Sequence, residues 1–284
     1  MKHRPAKTTS GPAEPAGGRS FFLAVRPDRG APQLEPEDAA HARRVLRLGI
    51  GDALVGLDGE GGRWPLRVAD VAGGAFEVEA AGQPQREPGP GEPGGRLPWI
   101  EVAVCLPREK RAEAMVDRLV QLGMAALTPL WAERSQGPLR PLGEGRVRRL
   151  RRIAREACKQ ADRAWMPVIH PTAAPADLLA ERAGCPAALL DPDGPETLLE
   201  WAGTLDGTAG TPGRPLLLLI GPEGGLTAAE RAELVARGAR PVALGPHVLR
   251  IETAAEAALA GLVLALGASS WKAGQKRIRS RSET

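Results

Sequence analysis

From residue 99 onward, short apolar runs alternate with amphipathic segments. The runs fall at 100–105, 126–130, 167–169, 187–190, 216–220 and 242–244. The run at 216–220, Leu-Leu-Leu-Leu-Ile between Pro215 and Gly221, has no polar face, as a strand covered on both sides requires. Between the runs, residues 109–122, 145–161, 177–183 and 196–202 have helical character. In the first of these, Ala112, Met115, Val116, Leu119 and Leu122 share a face and Gly123 closes the segment. Such alternation predicts an α/β domain on a parallel sheet.

Residues 19–82 have a different rhythm. A β-like run at 19–25 precedes a short helix at 36–48, with Pro36 at its first position, acids in its first turn and Gly49 at its end. Strand-like runs at 53–57, 63–71 and 75–80 are separated by glycine-rich turns. This reads as a small β-barrel with one helix. Residues 83–97, QPQREPGPGEPGGRL, read as a linker. Residues 1–18 and the basic residues 271–284 read as disordered tails, which leaves 98–270 as the second domain.

Residues 216–254 are the most informative stretch. After the apolar run come Gly221, Pro222, Glu223, Gly224 and Gly225, a loop whose backbone can approach a ligand closely. Thr227 and Glu230 have capping-box spacing, so a helix starts there and stops at Gly238. A second apolar run at 242–244 leads to Gly245-Pro246, then Arg250, Glu252 and Thr253. A last helix follows, with Leu259, Leu262, Val263 and Leu266 on one face. Two glycine loops after neighbouring parallel strands make a ligand crevice. No GK[ST] follows the first loop and no GxGxxG is present, which excludes a phosphate-binding loop and a dinucleotide fingerprint.

Composition changes this picture little. In 284 residues, 43% are hydrophobic, enough for a sizeable core. The three cysteines are isolated, so neither a disulfide framework nor a zinc site is expected, and a reduced, cytoplasmic setting fits. No apolar segment is long enough to span a bilayer and no leader-like segment opens the sequence, so no membrane association is expected. The net charge of +4 permits a polyanionic partner. Charge distribution says more. Arg148, Arg152, Arg155, Lys159 and Arg163 are spaced to form one stripe on a helix, which suits RNA phosphates or a solvated face. Arg43, Arg44 and Arg47 form a smaller cluster. His41 has no ligand-like neighbours, so it is a structural histidine or an RNA contact rather than a metal ligand.

The paired stretches 220–230 and 244–254 (IGPEGGLTAAE and LGPHVLRIETA) resemble the two signature stretches of the ribosomal RNA small subunit methyltransferase E family, in the SPOUT superfamily. The resemblance extends to Arg19-Ser-Phe-Phe, to HARRVLR at 41–47 followed by Gly51-Asp52, to Glu133-Arg134-Ser135, and to Arg155-Glu156-Ala157 through Gln160. Gln121, Ala161-Asp162 and Ile251 depart from the family pattern.

The resemblance implies a PUA-like β-barrel followed by a SPOUT (trefoil-knotted) parallel-sheet methyltransferase domain. It implies S-adenosylmethionine as cofactor, a homodimer, and methylation of uridine N3 in the 16S rRNA of the small ribosomal subunit. It places the adenosine near Leu190, Gly221, Gly224, Leu244, Gly245 and Leu249, although the leucines also read as core. The imide proton at N3 must leave, so a base or a charge stabiliser is needed. Arg250 is the candidate stabiliser of charge on the uracil oxygens. Glu223 and Glu252 are candidates to accept the proton or to orient Arg250. Alternatively, Glu223 caps loop amides and Glu252 is a first-turn helix acid. RNA contacts are expected from Arg19, His41, Arg44, Arg47 and the stripe. The alternatives are methylation of another RNA nucleotide and RNA binding without catalysis.

Overall fold

The computed structural model describes residues 20–135 and 142–281, with the backbone alone beyond Gly267. Arg19 and the expected tail 1–18 lie outside the described residues. The chain divides into two compact units at Arg86 and Glu87.

The first unit contains β1 (Ser20–Val25), β2 (Gln33–Leu34), α1 (Pro36–Arg44), β3 (Ala53–Leu57), β4 (Gly62–Asp70), β5 (Glu77–Ala80) and β6 (Gln85–Arg86). The sheet order is β2-β1-β3-β4-β5, with β6 also on β4. Only β1 and β3 are parallel; the other pairs are antiparallel. Phe21, Leu34, Leu54, Leu66 and Val68 fill its core with Ala42 of α1. The buried Asp38 accepts a hydrogen bond from Phe22 N at 2.7 Å, which ties α1 to β1. The helix ends at Arg44 rather than at residue 48. The chain turns through Arg47, at φ 52°, so that Leu48 drops into the core.

The second unit contains β7 (Ile100–Cys105), α2 (Glu109–Gln121), β8 (Ala126–Leu130), α3 (Glu144–Gln160), β9 (Val168–Ile169), α4 (Pro175–Glu181), β10 (Ala187–Leu190) and β11 (Glu196–Thr197). Then follow α5 (Leu198–Gly203), β12 (Leu216–Ile220), α6 (Ala228–Ala236), β13 (Ala239–Ala243) and α7 (Ile251–Arg281). Seven strands pair in parallel in the order β11-β13-β10-β12-β7-β8-β9. One face carries α2, α3, α5 and α7, and the other carries α4 and α6. Leu217 and Leu219 of β12 belong to the cluster under α4 and α6. Side chains alternate along a strand, so Leu216, Leu218 and Ile220 point to the opposite face. Both faces are buried, and this is why the run has no polar position.

Three further expectations need correction. The proline- and glycine-rich segment at 83–97 is not a free linker. Residues 85–86 form β6, Trp165 Nε1 donates to Glu87 O at 2.8 Å, and Gly91 N donates to Leu97 O at 2.6 Å. A side chain at Gly89 would meet the Trp165 ring, so this glycine serves close packing. The last helix runs on to Arg281 where a disordered tail was expected; no proline interrupts residues 251–281, and 282–284 lie outside the described residues. The second strand of the 216–254 stretch begins at Ala239, with Gly238 at φ 96° turning the chain into it.

At the N-terminal end of the parallel sheet, Glu101 of β7 is 1% exposed. Thr128 Oγ1 and Arg182 Nε donate to its two oxygens, the latter at 3.1 Å, and His170 Nε2 lies 4.0 Å away.

Candidate functional site

The candidate site lies at the opposite edge, where the strands end and cavities open. The capping box is formed as the spacing predicts. Thr227 Oγ1 accepts from Glu230 N at 3.2 Å, and Glu230 Oε2 accepts from Thr227 N at 2.8 Å. Glu230 does more than cap. Its other oxygen accepts from Glu133 N at 2.8 Å, and Arg134 Nη1 reaches Gly224 O at 3.3 Å. The loop after β8 is thereby pinned to the glycine loop after β12.

A cavity of about 820 Å³ opens above the ends of β10, β12 and β13; the two glycine loops follow β12 and β13, which are not neighbours as expected but flank β10. Leu190, Gly221, Leu244, Gly245 and Leu249, expected around the adenosine, all line it. Gly224 does not. It faces Arg134, and Gly225, at φ 69°, takes the lining position. Arg250 lines the cavity from an exposed position. On the polar rim, Asp191 forms an ion pair with Arg231.

A second cavity, also about 820 Å³, lies above the ends of β7 and β8. Pro222, Glu223 and Ile251 line both cavities. The sheet order explains this arrangement, because β12 stands between β10 and β7. The loop that follows β12 therefore becomes the wall between the two spaces. Cys105 lies in the second cavity, and burial pushes its thiol up to about 11, so it is protonated at neutral pH.

Glu223 and Glu252 share one cation, which sequence reasoning missed. Arg111 of α2 donates from Nη2 to Glu223 Oε1 at 2.7 Å and from Nη1 to Glu252 Oε1 at 3.4 Å. The hydrogen bond to Glu223 raises the Arg111 guanidinium above its ordinary value. Glu252 Oε2 is buried and finds no hydrogen-bond partner among the described residues. A signal for Arg111 was present in the sequence. Arg108, Lys110 and Arg111 crowd the start of a helix, where the dipole disfavours cations.

The expected RNA contacts separate into two groups. His41, Arg44 and Arg47 are exposed on the first unit, the histidine ring 6.5 Å from that of Phe21. On α3, Arg148 and Arg152 are exposed, and Arg155 and Lys159 are half-buried. Glu144 pairs with Arg148 at 3.1 Å and Glu156 with Lys159 at 2.7 Å, which offsets the repulsion along the stripe. Arg163 is not part of this surface. It lies beyond the end of α3 and is 8% exposed, donating to Val120 O at 2.9 Å and Met124 O at 2.7 Å. It satisfies carbonyls at the end of α2, so its role is in the core.

A family model described as an RNA methyltransferase domain matches residues 95–263, and one described as an RNA methyltransferase PUA domain matches residues 34–80. The ribosomal RNA small subunit methyltransferase E of Synechocystis is 31% identical over 268 residues, covering 88% of this chain and 80% of that protein. A crystal structure of the Neisseria gonorrhoeae ribosomal RNA small subunit methyltransferase E bound to S-adenosyl methionine has the same fold. Its TM-score is 0.72 at 23% identity, covering 87% of this chain and 97% of that one. A probable rRNA-methyltransferase from Porphyromonas gingivalis matches at TM-score 0.70 and 25% identity, covering 90% and 99%. Matches of this extent, over the methyltransferase domain and over most of the chain, place the protein in the ribosomal RNA small subunit methyltransferase E family.

Proposed function

We propose that the protein transfers a methyl group from S-adenosylmethionine to N3 of a uridine in the 16S rRNA of the small ribosomal subunit. One observation carries this reading: the exposed Arg250 stands on the rim of a cavity built from backbone-rich loops at the ends of three parallel strands, beside the Arg111-linked pair Glu223 and Glu252.

The first cavity fits the cofactor. Leu190, Leu244, Leu249 and Val242 offer an apolar slot for an adenine, and Gly221, Gly225 and Gly245 leave backbone groups within reach of polar edges. The carboxylates of Asp191 and Glu223 suit the cationic end of such a ligand. When bound, S-adenosylmethionine supplies a methyl on a sulfonium, and the electrons of the broken S–CH3 bond return to sulfur as a thioether. The chain's part is positioning and charge. Arg250 stabilises negative charge on the uracil oxygens as N3 loses its proton. Glu223, which lines both cavities, accepts that proton, and Glu252 behind it holds Arg111 in place.

His41, Arg44 and Arg47, with Arg148, Arg152 and Arg155, hold RNA phosphates around the target. The reaction belongs in the cytoplasm, where small subunits are assembled. The described helices include none long and apolar enough to cross a membrane. Two copies of the chain form the working unit, with Leu264 and Ala265, exposed on α7, available to the contact. Ala258, on the alanine-rich side of the same helix, is instead buried within the chain.

Small subunits that lack the modification, incubated with the protein and methyl-labelled S-adenosylmethionine, should yield labelled 3-methyluridine on nucleoside analysis. Label in any other nucleoside would overturn the assignment to N3.

A further inference from the structure

Methyl transfer needs a place for the acceptor as well as for the donor, with the reacting atoms in line. The second cavity is one wall away from the first, and its volume of about 820 Å³ is in the range of ligand sites. Its chemistry differs from that of its neighbour. Arg108, Lys110, Arg111 and Arg146 surround it, against Glu109 and Glu223. Arg111 is engaged with the two carboxylates, and Arg146 Nη2 reaches Pro107 O at 3.4 Å. Arg108 and Lys110 have no side-chain partner among the described residues. The N-termini of α2 and α3 both border the space, and neither has a side-chain cap. Cations, free amides and two helix dipoles therefore converge on one volume, which suits phosphate.

Trp131 adds an aromatic face. It is 36% exposed, on the loop after β8, which Glu133 and Arg134 fasten to the glycine loop. An aromatic plate beside a cationic track is how single-stranded nucleic acid is held without base pairing. A target base in folded RNA must leave its stack to be modified, and it then needs such a plate.

We propose that this second cavity receives the acceptor nucleotide, with its base against Trp131, its flanking phosphates at Arg108, Lys110 and Arg146, and its reacting edge toward Glu223. The direction of transfer rests on the methyltransferase reading; the binding of RNA here does not.

The full chain is titrated with a single-stranded hexamer of uridylate by anisotropy, and with S-adenosylmethionine by calorimetry. Trp131→Ala, and separately Arg108→Ser with Lys110→Ser, should each weaken hexamer binding about tenfold, the former from lost stacking, the latter with a shallower salt dependence. Trp131→Phe, which keeps an aromatic plate, should restore it. Cofactor binding should stay within about twofold throughout, which also reports that the variants are folded. Failure of the wild-type chain to bind the hexamer, or equal binding by all variants, would overturn the cavity assignment. Absence of cofactor binding by the wild type, with hexamer binding still sensitive to Trp131, would instead sink the methyltransferase reading and leave the cavity assignment standing.

Discussion

Glu101 and Glu252 lie at opposite ends of one parallel sheet. Glu101 is sealed at the N-terminal end, with one oxygen on Thr128 and the other on Arg182. Glu252 lies at the C-terminal end, with one oxygen on Arg111 at a long 3.4 Å and the other buried without a partner among the described residues. A buried acceptor without a donor costs about 1–3 kcal/mol. The second unit tolerates that cost at the edge where its cavities open. At the other edge both oxygens of Glu101 are matched. The closed carboxylate fastens the fold, while the open one holds hydrogen-bonding capacity in reserve beside the site.

The largest expected effect is at the closed end. Glu101→Ala leaves Arg182 and Thr128 facing a gap and should cost about 3–5 kcal/mol in urea unfolding, as breaking a buried pair does. A loss below about 1 kcal/mol would erase the contrast between the two ends. At the open end, Arg250→Ala should leave unfolding within about 0.5 kcal/mol of wild type. It should slow single-turnover methyl transfer by about 10²- to 10³-fold. Unchanged turnover would remove Arg250 from the chemistry. Thr227→Ala breaks the capping box that frames the glycine loop and should cost about 1 kcal/mol of stability, read by thermal unfolding. Cofactor affinity measured alongside shows how far the open end depends on that cap. The smallest effect is expected on α3, where Arg152→Glu should lower the slope of RNA affinity against salt by about 1 to 2, with folding unaffected. A slope equal to that of wild type would class Arg152 as solvated surface.

The same contrast explains what the sequence disclosed. The strands at 100–105, 126–130, 187–190 and 216–220 were legible to the residue, because burial on both faces leaves them apolar, apart from Glu101 and Thr128, which bond each other. The capping box at Thr227 was legible because its partners are three residues apart. The first cavity was legible in outline for a similar reason: its loops belong to consecutive strand–helix units. Arg111 was not assigned, because it meets its carboxylates across 112 and 141 residues of chain. Arg163 kept the periodicity of the α3 stripe, yet the helix stops at Gln160 and Asp162, at φ 48°, turns the next residue inward. Helical spacing assigns a face only while the helix lasts. The segment at 83–97 looked like a linker by composition, but Gly89 packs against Trp165 and the strand at its start pairs with β4.

The ion triad also has a consequence in time. Ribosomes add about 5–20 residues per second, so Arg111 emerges roughly 7 to 28 s before Glu252, 141 residues later. Over the first 112 residues of that interval neither carboxylate exists, and the loop that forms the wall between the cavities has not yet been made. Glu223 arrives first and Glu252 last, at the head of the final helix. Arg111 therefore gains its second carboxylate only when nearly the whole domain has been synthesised, and a nascent chain stopped before α7 lacks the completed triad.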